Sequence, residues 1–150
     1  MRQEYGGGDF HERHLQRVVA TLQEFGETDQ TMLASAWLHD TVEDTDTSVA
    51  DIRGEFGDDV ADLVWRLTDE SGGVRRERQA KTHAKIREKS DAVRVKLADR
   101  IANVEAAIEQ NSHLVGMYRA EYRQFRRELY RRGEWEDMWT RLDHLLADAR

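Results

Sequence analysis

With 150 residues, 39% of them hydrophobic and 35% charged, the chain can bury a core without cross-links while presenting a heavily charged surface. Cysteine is absent, which excludes thiolate metal sites, redox pairs and disulfides and points to a cytoplasmic setting. A net charge of −7 argues against general nucleic-acid binding, and no apolar run is long enough for a membrane span.

One domain is expected over residues 1–150, with about 1–9 as a flexible N-terminus and 111–150 as C-terminal helices packed on the rest. Asp9 followed by Glu12 resembles a capping box, and Leu15, Val18, Val19 and Leu22 recur at helical spacing until Gly26. A second helix is predicted from Thr28 or Asp29, burying Leu33, Ala36 and Trp37. After the polar stretch Thr41–Thr47, Thr47 or Ser48 caps a short helix that stops at Gly57.

Asp58 or Asp59 opens the next helix, with Val60, Leu63, Val64 and Leu67 on its apolar face, and 68–73 reads as a loop. A basic helix follows over 74–89. A stronger one runs from Asp91 to about Gln110, striped by Val93, Leu97, Ile101, Val104 and Ile108. Two more carry Tyr118, Tyr122, Phe125 and Leu129, then Trp135, Met138, Trp139, Leu142 and Leu146. Proline is absent, no strand of period two stands out, and the expected fold class is an all-α bundle.

Three ionisable positions sit where apolar residues belong. Asp40 lies three and four residues after Trp37 and Ala36, on the face expected to be buried, with His39 beside it. Were that helix to continue, His39 would share a face with Glu43, and Asp40 with Asp44. Asp99 has Val95, Ala102 and Ala106 as helical neighbours, and His14 lies one turn before Val18. A buried carboxylate needs a partner, and imidazoles and carboxylates from neighbouring helices can build a metal site inside a bundle. Taken singly, each also reads as a satisfied histidine or an ion pair.

The run His39-Asp40-Thr41-Val42-Glu43-Asp44-Thr45, together with Val95-Lys96-Leu97-Ala98-Asp99-Arg100, closely resembles the RelA/SpoT-type hydrolase domain of the HD superfamily. The likeness spans roughly Phe10 to Asn103, and in size the chain is similar to the stand-alone form of that domain. It implies His14, His39, Asp40 and Asp99 as metal ligands, with Leu15 standing where a proline usually follows the first histidine. It implies Glu43 and Asp44 as the acidic pair that activates water, and Asn103 as a residue facing the nucleotide. Tyr122 lies near the family's base-stacking tyrosine.

The implied cofactor is Mn²⁺, with other divalent metals compatible with a mixed nitrogen and oxygen donor set. The implied reaction removes the 3′-pyrophosphate of ppGpp or pppGpp, and such a metal lowers the pKa of water and polarises phosphoryl oxygens. The basic helix, with Arg75, Arg76, Arg78, Lys81 and Lys85, could neutralise phosphate charge or simply form a solvated face.

Two departures bear on the substrate. The Arg-Lys pair usual upstream of the first histidine is replaced by Arg2-Gln3-Glu4 and Gly6-Gly7-Gly8, and Ile101-Ala102-Asn103-Val104 stands for Leu-His-Asn-Met. The alternatives are therefore a nucleoside monophosphate, a dNTP or NADPH as substrate, or a non-catalytic nucleotide-binding module. The aromatic C-terminal helices offer an interface to a partner chain, a homo-oligomer included. The basic stretch from Arg119 to Arg132 reads as a solvated face, so a nucleic-acid partner is not expected.

Overall fold

The computed structural model describes residues 6–148, which form nine helices and no strand. They are α1 (Gly6–Glu24), α2 (Gln30–Leu38), α3 (Thr41–Asp44), α4 (Val49–Phe56), α5 (Asp58–Leu67), α6 (Arg75–Arg87), α7 (Ser90–Glu109), α8 (Leu114–Leu129) and α9 (Glu136–Asp148). The segment Arg2-Gln3-Glu4 lies outside the described residues. None of the described helices is long and apolar enough to cross a membrane.

Helix α7 is the axis. It packs against α1, α2, α5, α6, α8 and α9, so it is apolar on nearly every side rather than along one stripe. Ala92, Ala98, Ala102 and Ala107 are buried along it, and their small side chains let neighbouring helices approach closely. Val18 and Leu22 of α1, Met32 and Leu33 of α2, Phe125 and Leu129 of α8 and Met138, Trp139 and Leu142 of α9 complete one continuous core. A smaller cluster joins Ile52 of α4 to Val60, Ala61 and Val64 of α5.

Local rules account for most boundaries. Asp29 caps α2 by accepting from Thr31 N–H at 2.7 Å and Met32 N–H at 3.3 Å. Ser48 and Asp51 form a reciprocal capping box at α4. Gly57, at φ 95°, breaks the chain between α4 and α5 in a conformation that side chains with a Cβ avoid.

Helices α5 and α6 cap each other. Lys85 Nζ donates to the Trp65 and Thr68 carbonyls, each at 2.9 Å, while Arg66 Nη1 donates to the Lys85 carbonyl at 2.8 Å. Each helix thus finds a cation from its partner for carbonyls left over at its C-terminal end.

Four details differ from the sequence reading. The backbone of α1 is helical from Gly6, so Asp9 lies inside the helix rather than capping it. Helix α2 ends at Leu38, and Asp40 occupies a turn before α3 instead of continuing the helical face. Trp37 is 39% exposed, because Met32, Ser35 and Ala36 set the buried arc of α2 and Trp37 falls past its edge. Trp135 precedes α9 at φ 56°, held by its indole N–H donating to Ser90 O at 2.9 Å and by Arg94 4.4 Å from its ring centroid.

Candidate metal centre

Packing of α1 on α7 brings His14 to Asp99, with Nε2 and Oδ1 separated by 2.7 Å. The turn after α2 adds His39, whose Nε2 lies 3.4 Å from the same Asp99 oxygen and 3.3 Å from Asp40 Oδ1. The donor atoms of His14, His39 and Asp99 all fall within 4.8 Å of one another.

His39 is oriented from behind. Its Nδ1 donates to the Ala36 carbonyl at 2.7 Å, so the ring is locked and Nε2 faces the carboxylates. This outer hydrogen bond is how metal-binding imidazoles are usually held in tautomer and direction. Two imidazole nitrogens and a carboxylate, with Asp40 beside them, fit a divalent cation of the Mn²⁺, Fe²⁺ or Zn²⁺ kind.

Without a cation, protons and ammonium groups balance the charge. Burial works against protonation of His39, but the hydrogen bond and charge of Asp99, with Asp40 and the Ala36 carbonyl, push its pKa up to about 9. Burial alone would raise Asp99; Lys96, His14 and His39 overcome it and hold the carboxyl well below the usual carboxylate range. Lys96 Nζ lies 3.3 Å from Asp99 Oδ2. Asp40 is shifted upward, chiefly by burial.

The cluster opens into a cavity of ≈330 Å³, a size suited to a small ligand. His14, His39, Asp40, Glu43 and Asp99 line it together with Arg75, Arg78, Lys96 and Arg100, and with Gln79, Thr82, His83, Asn103 and Tyr118. Glu43 is fixed by Asp69 N–H, which donates to Oε2 at 2.8 Å, and burial raises its pKa. Arg100 is 4% exposed, its guanidinium 5.0 Å from the Tyr118 ring centroid and 4.5 Å from that of Phe125, with Nε unpaired. A planar cation that stacks on aromatic rings can occupy such a place, whereas an ammonium would be poorly solvated there.

The other residues singled out in the sequence are spread more widely. Asn103 lines the cavity. Asp44 does not; it is half exposed and pairs with His11 at 3.4 Å. Lys85 is committed to the end of α5 and to Glu70 at 2.6 Å, and Lys81 donates to Ser71 O at 3.0 Å. Neither lysine lines the cavity, because both are drawn to carbonyls of the loop ahead of α6 and of the end of α5. Tyr122 also lies elsewhere, its hydroxyl bonded to Asp143 and its ring 6.5 Å from that of Trp139.

Sequence reasoning passed over His83, Glu128 and His11. His83 Nδ1 lies 2.7 Å from Glu128 Oε1, and its ring meets Phe125 edge-on at 5.5 Å. Burial, with Lys96 and Arg100 nearby, outweighs Glu128 and pushes the His83 pKa down to about 4. Nothing in the local sequence of α6 marks this pair, which joins residues 45 apart.

A stability consequence follows from that lowered value. The unfolded chain takes up a proton near the ordinary histidine pKa of about 6.5, whereas the folded one resists until about 4. The stabilisation is therefore complete above about pH 6.5 and is lost as the pH falls toward 4, roughly 2 kcal/mol of it by pH 5. Urea unfolding at pH 7 and 5 checks this. His83→Gln is expected to flatten the difference, and an unchanged pH dependence in that variant would refute the assignment.

The sequence profile of the HD domain matches residues 2–129. The zebrafish guanosine-3′,5′-bis(diphosphate) 3′-pyrophosphohydrolase MESH1 is 41% identical over 90 residues, covering 58% of this chain and 49% of that protein. Its Drosophila melanogaster counterpart is 38% identical over 78 residues, 51% of this chain and 44% of that one. The chain thus spans about half the length of the MESH1 relatives it matches.

Among solved structures, a metazoan SpoT orthologue described as hydrolysing ppGpp superposes with a TM-score of 0.78 at 28% identity, over 92% of this chain and 80% of that one. A Listeria monocytogenes protein shares the fold at a TM-score of 0.75 and 22% identity, over 91% of this chain and 93% of that one. With the profile covering most of its length, the chain belongs to the HD-domain family.

Proposed function

We propose that the chain is a divalent-metal-dependent phosphohydrolase that removes the 3′-pyrophosphate of ppGpp, with Mn²⁺ as the cation held by His14, His39, Asp40 and Asp99. The observation that carries this reading is the cavity itself, whose lining joins the imidazole–carboxylate cluster to Arg75, Arg78, Lys96 and Arg100. A polyanion in that space meets both the cation and fixed positive charge. The MESH1 relatives, named for this hydrolysis, support the choice of substrate.

The cation, when bound, would polarise the phosphoryl group and make water more acidic. The protein's own side chains supply the rest. Glu43, half-buried and fixed by Asp69, is placed to orient a water molecule and take its proton. Arg75 and Arg100 share Glu121, at 2.5 Å and 3.5 Å, which sets the two guanidiniums side by side in the wall. Asn103 and Tyr118 provide neutral polar contacts along the cavity.

The test is incubation of Mn²⁺-loaded protein with ppGpp beside a panel of nucleoside monophosphates, dNTPs and NADPH. GDP and pyrophosphate are the expected products of ppGpp. Glu43→Gln should lower kcat by about 10²- to 10⁴-fold with little change in KM. Intact ppGpp, or preferential cleavage of another nucleotide, would refute the substrate assignment.

A further inference from the structure

We propose that His83 reads the sugar of the substrate, its Nε2 accepting a hydrogen bond from the ribose 2′-hydroxyl beside the scissile 3′-ester. The inference deepens the reading of the cavity as a ppGpp site and rests on it.

The ring is fixed on the side away from the ligand. Nδ1 lies 2.7 Å from Glu128 Oε1, and Gln124 Nε2 donates to both Glu128 oxygens at 3.3 and 3.4 Å. A carboxylate only accepts, so Nδ1 carries the proton and Nε2 keeps its lone pair. Phe125 meets the ring edge-on at 86°, which holds its plane. His83 is 2% exposed yet lines the cavity, and no described group bonds its Nε2. Burial, with Lys96 and Arg100, outweighs the pull of Glu128 and keeps the ring neutral at ordinary pH. Tying α6 to α8 uses Nδ1 alone and leaves the second nitrogen for a ligand.

A lone pair at this place does not suit a phosphate oxygen, which has no proton to give and turns to the neighbouring cations. It suits a hydroxyl or an N–H. Asp99 and Arg100 follow Lys96 by three and four residues on one face of α7, and Lys96 Nζ is 3.3 Å from Asp99 Oδ2. His83, beside Lys96 and Arg100, is thus one side chain removed from the metal centre. With the 3′-phosphate at that centre, the 2′-hydroxyl sits on the carbon next to the ester. The guanine N–H groups lie at the far edge of the base. The 2′-hydroxyl is then the donor within reach of His83.

The test compares ppGpp with its 2′-deoxy analogue on the Mn²⁺-loaded chain, by kcat/KM and, in Glu43→Gln, by calorimetric binding. The unaltered chain should favour ppGpp by roughly 10- to 100-fold, and Glu43→Gln should bind it more tightly by a similar factor. His83→Phe keeps a planar ring but accepts nothing, so it should treat the two nucleotides alike. Glu128→Gln, which frees the ring to take either tautomer, should narrow the preference, and it serves where the Phe variant does not fold. A merely structural defect lowers both nucleotides equally and leaves their ratio intact, so a preference undiminished in either variant would overturn the inference. Equal treatment of the two by an unaltered chain that cleaves ppGpp would overturn it alone. Failure to cleave or bind ppGpp would overturn the substrate reading and this inference together.

Discussion

Asp99→Asn is expected to reduce hydrolysis by on the order of 10³-fold, roughly 4 kcal/mol of transition-state stabilisation. Asp99 is the point on which the centre converges: His14 at 2.7 Å, His39 at 3.4 Å and Lys96 at 3.3 Å all meet its carboxylate. An amide of the same shape keeps the packing of α7 but supplies no negative charge, so the cation loses a ligand and two imidazoles lose their counter-charge. The same change removes the main source of the raised His39 pKa, which should fall from about 9 toward the ordinary imidazole value in metal-free protein. Steady-state kinetics at saturating Mn²⁺ and an NMR titration of His39 are independent readouts. Activity within tenfold of the unaltered protein would exclude Asp99 from the centre.

Trp139→Ala is expected to lower stability by about 3–5 kcal/mol, the range for deleting a large aromatic from a core. Trp139 is 1% exposed and lies 5.6 Å from the Phe125 and Tyr130 ring centroids, under the Arg126 guanidinium at 5.6 Å. It ties α9 to Phe125 of α8 and to Tyr130 just beyond that helix. At about 2–4 °C per kcal/mol for a chain of this size, Tm should drop by roughly 10 °C. Metal stoichiometry should hold below that temperature, because the donors come from α1, the His39–Asp40 turn and α7. A loss smaller than about 3 °C on thermal unfolding would show that α9 is held by its rim and not by this ring.

The helices were legible because their stops and caps are local chemistry. Asp29, Ser48, Asp51 and Gly57 act within a few residues of themselves, and the structure uses each as its residue type suggests. Asp99 was legible as a carboxylate among apolar helical neighbours, and it is 6% exposed. His39 is similarly buried, though the reason given for its partner fails. Asp40 lies not on a continued α2 face but in the turn beyond it, at the N-cap position of α3, where its side chain makes no capping bond.

What could not be read was the pairing across helices. Lys81 and Lys85 looked like phosphate ligands by charge, but carbonyls at the end of α5 and in the following loop claim them. Tyr122 shares the helix of the cavity residue Tyr118, one turn on, and that turn places it against Trp139 instead. Arg100 stacks on Tyr118 and Phe125, contacts that belong to a helix the sequence alone does not place. His11 did carry a signal. Its spacing to His14 is that of two residues on one helical face, a pattern as visible as any other in the chain.

His14 and Asp99 are 85 residues apart, so their pairing closes a loop of more than half the chain. Local contacts within single helices form early and cheaply, whereas this one must wait until α1 docks on α7. The centre therefore comes into being with a long-range closure of the fold, and an unfolded chain has no equivalent place for the ion. Every increment of cation affinity is then also an increment of folding free energy, about 2.7 kcal/mol when free metal stands at 100 times its Kd. Seen from the folding side, a bound cation would be a clasp between α1 and the central helix α7, and the ion pairs His14–Asp99 and His39–Asp99 hold that clasp in shape until it closes.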